Sequence, residues 1–187
     1  MKKVLIAISA LAVMFAMSGC TKISQYRALD DNAIPAYKKM FNTVLETGDA
    51  AKAMTNEYEV QEDVENDDVA ESIYALAEEY NMRITGDIKM FTKDDAKPEE
   101  VKHARIFSLC SLSIAKKFLN HSRQFGTFMP CRIMLIELGN GKRYLETMDL
   151  TLAIYGGRPL PKEMLELSLK VEKAMTEIPA RAAEGDF

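Results

Sequence analysis

The side chains best suited to covalent or metal chemistry are two thiols in the second half of the chain, Cys110 and Cys131. Each borders an apolar, strand-like run, Ala104 to Cys110 and Cys131 to Leu138. Cys110 directly precedes Ser111 and Ser113, which can cap a helix, and the free N–H groups of a helix start favour a thiolate. Arg132 places positive charge beside Cys131, and Met129 lies two residues before it. Sulfur from Met129, Met134 and Met148, with His121, would complete a Cu(I)-type site around the thiols. Beyond residue 20 no Cys-x-x-Cys, Met-x-x-Met or His-x-His spacing supports such a site, so no cofactor is expected and copper is the alternative. The competing reading makes both thiols small core residues, inert through burial. A disulfide between them is disfavoured if their strands, joined through a helix, run parallel. The sulfurs would then lie about 10–20 Å apart by strand rise, against roughly 7 Å allowed between bridged Cα atoms.

Other chemistry finds less support. There is no Gly-x-Ser-x-Gly elbow, and the two histidines fall in a predicted loop (His103) and at a helix end (His121). Glu137 and Glu146 are placed to face one another across a hairpin, with Lys142 or Arg143 at hand to neutralise them. Gly156-Gly157 runs into Arg158-Pro159 rather than into a helix start, so it is no phosphate loop.

The third cysteine has a different setting. Lys2 and Lys3 lead into an apolar run from Val4 to Met17, then Ser18-Gly19-Cys20. A charged start, a short apolar middle and small residues before a cut describe an export signal. The run is shorter than the roughly 20 apolar residues a bilayer-spanning helix needs. Ser18-Gly19-Cys20 resembles a lipobox, which implies cleavage before Cys20 and lipid on its sulfur and amine. Thr21 after that cysteine resembles the pattern sorted to the outer membrane, facing the periplasm. Without Lys2 and Lys3 the chain carries 22 basic against 28 acidic residues, a net charge of −6. Such a surface repels phosphate backbones, and nucleic acid is not an expected partner.

Periodicity supplies the elements. A tether (20–32) precedes a helical arm (33–55), in which Pro35 suits the first turn and Gly48 the stop. Tyr37, Met40, Phe41, Val44 and Leu45 would face inward there. A domain over 56–187 follows. Tyr58 and Val60 alternate as in a strand, and Asp68 with Glu71 could box the start of a helix carrying Val69, Ile73, Leu76, Ala77 and Tyr80. Met82, Ile84, Ile88 and Met90 then alternate along one long strand, and Thr92 to His103 reads as a loop. The run to Cys110, a helix with Phe118 and Leu119, and the strand from Cys131 follow in turn. Gly139-Asn140-Gly141 closes a hairpin with Arg143 to Leu150. After Pro159 and Pro161 comes a final helix whose Met164, Leu167, Val171, Met175 and Ile178 point inward. The order β-α-β-β-α-β-β-α predicts an α+β fold, one sheet with helices on one face.

Three segments resemble the domain-of-unknown-function family DUF302: Ile106 to Cys110, Phe128 to Ile133, and Ile154 to Pro161. Glu184 to Phe187 is similar to the endings of exported members, and the resemblance spans about Ala36 to Phe187. It implies a curved, largely antiparallel sheet like that of TATA-binding-protein-like folds, and no established activity. The expectation is a lipid-anchored envelope protein, a non-enzymatic domain binding a small apolar molecule or an envelope protein near Cys131 and Arg132. The alternative is a thiol-based redox, sulfur-handling or soft-metal protein using Cys110 and Cys131.

Overall fold

The computed structural model describes residues 24–186. The leader, Cys20 and the first residues of the tether lie outside the described residues. Residues 24–27 are helical, and helix α1 follows at Ala33–Thr47, ended by Gly48 at a φ of +70°. Along the chain come β1 (Thr55–Glu59), α2 (Asn66–Glu79), β2 (Arg83–Thr92), β3 (Val101–Cys110) and α3 (Leu112–His121). Next are β4 (Cys131–Leu138), β5 (Arg143–Met148), the short α4 (Thr151–Tyr155) and the long α5 (Lys162–Ala183). The expected order is present, with α4 added.

The chain divides into two compact units. The smaller holds residues up to Lys39 with Thr151–Leu160. Within it the Asp30 amide donates to the Gly157 carbonyl at 2.9 Å and the Tyr37 hydroxyl to that of Gly156 at 3.0 Å. Helix α1 is fully buried at Ala33 and Ala36, and of the bulky residues expected inside Met40 and Val44 are half-buried. Tyr37, Phe41 and Leu45, expected inside, are exposed, because small side chains make the close contact and turn the large ones outward.

The larger unit is an α+β fold with the sheet order β1-β5-β4-β3-β2. Every neighbouring pair is antiparallel. That corrects the parallel relation expected of β3 and β4. Helix α3 rises about 15 Å over its length, and the 3₁₀ segment Arg123–Phe128 packs back on it with a rise of about 12 Å. The two nearly cancel, so the chain re-enters the sheet at the end it left.

Helices α2 and α5 pack on each other and on one sheet face. Val69, Ile73, Leu76 and Ala77 of α2 and Met175, Ile178 and Ala182 of α5 close over Phe107, Leu109, Ile133, Leu135 and Leu145. Each large aliphatic side chain so buried contributes about 1.5–3 kcal/mol. The start of α2 is boxed by Glu65 and Asp68, one turn earlier than the expected Asp68 and Glu71, with the Glu65 amide donating to Asp68 at 3.1 Å. Just before it, buried Arg143 donates to the carbonyls of Val64, Gln61 and Glu62.

Strand β2 departs from simple alternation. Its pairing with β3 slips between Ile84 and Gly86 and again between Lys89 and Phe91. Ile84 therefore packs on the core while Ile88 lies exposed on the opposite face. Strand β3 starts at Val101, so His103 is a buried strand residue rather than a loop residue.

At the β4–β5 hairpin, Gly141 takes the expected left-handed turn at a φ of +84°. Gly139 serves another need. Its amide donates to the Glu100 carbonyl at 2.6 Å, and a Cβ there would stand 1.7 Å from the Lys97 carbonyl oxygen. Gly139→Ala should therefore cost about 2–3 kcal/mol through overpacking, whereas Gly141→Ala, in open space, should cost about 1 kcal/mol from its φ alone. Urea unfolding of the two variants distinguishes them, and equal losses would contradict the close approach.

Candidate functional site

The thiols come first, as the residues singled out by chemistry. Leu109 is the register partner of Cys131, so Cys110 and Cys131 end neighbouring strands at the same end of the sheet. Both are free. Cys131 packs against the core, and burial, with Cys110 nearby as a smaller cause, pushes its thiol up to about 11. Burial also raises Cys110, so desolvation outweighs the helix start at Leu112 that was expected to favour a thiolate. Met129, half-buried, precedes Pro130 through a cis peptide, and Arg132 is exposed on the opposite sheet face from Cys131. Arg132 is the register partner of Ser108. Among the described residues, no three His, Cys, Asp or Glu side chains converge to hold a metal ion. His121 is exposed in the last turn of α3, as its sequence position suggests.

The carboxylates pair differently from expectation. Glu137 is the partner of Arg143 in the hairpin register. Glu146 instead meets Met134 on one side and Glu57 of β1 on the other. Burial first, then the Glu57 carboxylate, raises the Glu146 acid above its ordinary range.

Glu146 and Glu57 end a row that crosses all five strands: Ile88, Ile106, Met134, Glu146, Glu57. A parallel row sets Ala104, Ile136, Tyr144 and Glu59 side by side. Both rows lie on the face turned away from α2 and α5. Ile88 is 57% exposed, Met90 in the same strand 51%, and Met148 at the end of β5 39%. Ile106, Met134, Ile136 and Tyr144 are half-buried. The face is thus apolar across β2, β3 and β4 and acidic toward β1, where Lys142 pairs with Glu59 at 2.8 Å. It can hold an apolar body by contact and a donor or cation at its acidic margin.

Two polar clusters on the covered face went unread in the sequence. Arg105 makes two bonds to Asp87, at 2.8 and 2.7 Å, and its guanidinium lies 4.8 Å above the Phe107 ring. The Tyr74 hydroxyl donates to the same carboxylate at 2.9 Å. Arg105 above all holds Asp87 below the usual carboxylate range. Nearby, Asn66 donates to Glu137 at 2.6 Å, and His103 sits opposite Glu137 on β3. Desolvation lowers the His103 imidazole below its ordinary value. Charged residues at inward positions of otherwise apolar strands, such as Arg105 two residues before Phe107, were the available signal.

Two outcomes follow from this geometry. Glu146→Gln should stabilise the fold at pH 7 by a few tenths of a kcal/mol, since like charges directly opposite oppose pairing. The sign follows from a raised acid: its contribution is full below the unfolded glutamate value near 4.5 and is lost as pH rises through the folded value. The gain of the variant should shrink as urea titrations move from pH 7 toward 4.5, and a gain constant with pH would contradict the carboxylate pair. Cys131 should resist iodoacetamide at pH 7 and react once urea unfolds the chain; labelling as fast as free cysteine in the native state would contradict its burial.

No curated protein matches the chain. Among solved structures it is similar to an uncharacterized conserved protein DUF302 from Bacillus stearothermophilus, with a TM-score of 0.53 and 12% identity, covering 69% of this chain and 98% of that one. At that identity the likeness concerns the fold alone. Residues 56–178 match the family described as Domain of unknown function DUF302, a span that includes the β3, β4 and Gly156-Gly157 landmarks. With most of its length matched by the family and the fold shared with a solved member, the chain belongs to the DUF302 family.

Proposed function

We propose that the protein is a non-enzymatic binding domain of the cell envelope, tethered by lipid on Cys20, and that the sheet face turned away from α2 and α5 receives its ligand. The row Ile88–Ile106–Met134 carries this reading, because it is aliphatic across three strands on the side the two helices leave open. A water-facing side of an antiparallel sheet ordinarily alternates to polar side chains. Contiguous apolar surface on such a face marks a binding site. The Glu57–Glu146 margin favours a ligand that sets a donor or cation there, because that would relieve the carboxylate pair. A small apolar molecule with a cationic end meets both demands, and the apolar patch of an envelope protein is the other fitting occupant. The leader sequence alone supports the lipid on Cys20, the outer membrane and its periplasmic side.

One observation favours a second reading. The end-to-end adjacency of Cys110 and Cys131 suits a thiol-based redox, sulfur-handling or soft-metal function, with Met129 two residues before Cys131. Burial weighs against it by keeping both thiols protonated at neutral pH.

The neutral apolar dye N-phenyl-1-naphthylamine tests the leading reading. It should brighten on binding the native protein, and Ile106→Glu or Met134→Glu should weaken that binding about tenfold or more by placing a charge in the apolar row. Unchanged dye affinity in both folded variants would place the apolar site elsewhere. Cys110→Ser with Cys131→Ser should leave the affinity unaltered.

A further inference from the structure

We infer that α1 docks on the lipid bilayer, lying in its interface with the exposed stripe Ile34, Tyr37, Phe41 and Leu45 seated among the acyl chains. These four residues follow at steps of three, four and four, which places them on one side of a continuous helix. They are 51, 45, 58 and 67% exposed, while Ala33 and Ala36 are buried and Met40, Thr43 and Val44 half-buried. Tyr26, 64% exposed, adds an aromatic ring just before the helix.

The occupant is argued from position and charge. The docking rests on the proposed acylation of Cys20 for its place in the cell. Twelve residues lie between Cys20 and Ala33, a reach of at most about 45 Å even when fully extended. The helical turn at 24–27 shortens that reach. Between residues 20 and 47, Lys22, Arg27, Lys38 and Lys39 outnumber Asp30, Asp31 and Glu46, whereas the rest of the mature chain is strongly acidic. Anionic headgroups therefore repel the domain but not this segment. Lys38 borders the stripe, placed for its stem to lie along apolar surface while its ammonium meets phosphate. Tyr26, ahead of the stripe, suits the headgroup boundary. Among the described residues no helix is long and apolar enough to cross a membrane. A helix with one apolar side beside a lipid anchor is instead suited to lie in the interface plane.

The chain has no tryptophan, so Phe41→Trp supplies a single reporter. The full chain, processed in its own envelope and reconstituted in phosphatidylethanolamine–phosphatidylglycerol vesicles with brominated acyl chains, gives the test. Emission of Phe41→Trp should shift to the blue and be quenched about twofold or more beyond that of Leu169→Trp on α5, since the stripe would sit roughly 5–10 Å deep. Adding Leu45→Glu to the reporter should abolish most of that difference. Equal quenching at both positions, or none, overturns the docking. A blue shift without bromine quenching also overturns it and assigns the stripe to a second copy or another protein. The mass of the Cys20 peptide from the same sample judges the anchor separately. Should it carry no lipid, vesicles added to that soluble chain must still quench Phe41→Trp more than Leu169→Trp, and failure there overturns the docking alone.

Discussion

A guanidinium taken out of water organises the larger unit. Arg143 is buried in β5, and backbone carbonyls of Gln61, Glu62 and Val64 satisfy it. The nearest carboxylate, Glu65 at 3.6 Å, stands largely in solvent and neutralises it only in part. An uncompensated buried charge costs several kcal/mol, so the turn at 61–64 is held wherever Arg143 is held. The start of the same turn is tied through its backbone: the Val60 amide donates to the Arg143 carbonyl and the Gln61 amide to that of Ala183. Arg143 thereby links β5 to the entry of α2, and the Gln61 amide joins the end of α5 to the same turn.

Both long helices consequently share one face, and their apolar stripes are spent on the same side of the sheet. Arg181 strengthens the pairing by reaching Glu79 on α2 at 2.9 Å and Asp186 at 2.6 Å. The opposite face is left with Ile88, Ile106, Met134 and Ile136 at its centre and with two carboxylates directly opposed at its margin. Neither feature serves the core. Apolar area open to water and a like-charge pair are both costs to stability, and binding would offset both. For the thiols the balance runs the other way: burial keeps them quiet and integrates Cys131 into the packing.

Element type and order were legible because they are local. The stripe Val69, Ile73, Leu76, Ala77 announces α2, and Asn140-Gly141 announces its hairpin, from spacing and turn chemistry alone. Membership of the DUF302 family was legible in the segments around Cys110, Cys131 and Gly156. Sidedness was not. One extra residue in β2, Thr85, moves Ile88 to the face opposite Ile84, a second, Met90, shifts the register again beyond Lys89, and a period-two reading has no way to register an insertion. The direction of β4 depended on α3 and the following 3₁₀ segment cancelling each other's rise, which no pattern encodes. Glu146 found its carboxylate partner on β1, nearly ninety residues away, rather than across its own hairpin. The bulky stripe of α1 looked like core because apolar spacing reports a face and not what covers it.

Methyl-resolved NMR of the protein, titrated with N-phenyl-1-naphthylamine, reads the open sheet face most directly. Shifts gathered on the Ile88, Ile106, Met134 and Ile136 methyls, with the Ile73 and Ile133 methyls of the core unmoved, are the expected result. Saturable shifts confined to other methyls, or none at all in a folded sample, would contradict a ligand-receiving face on this sheet.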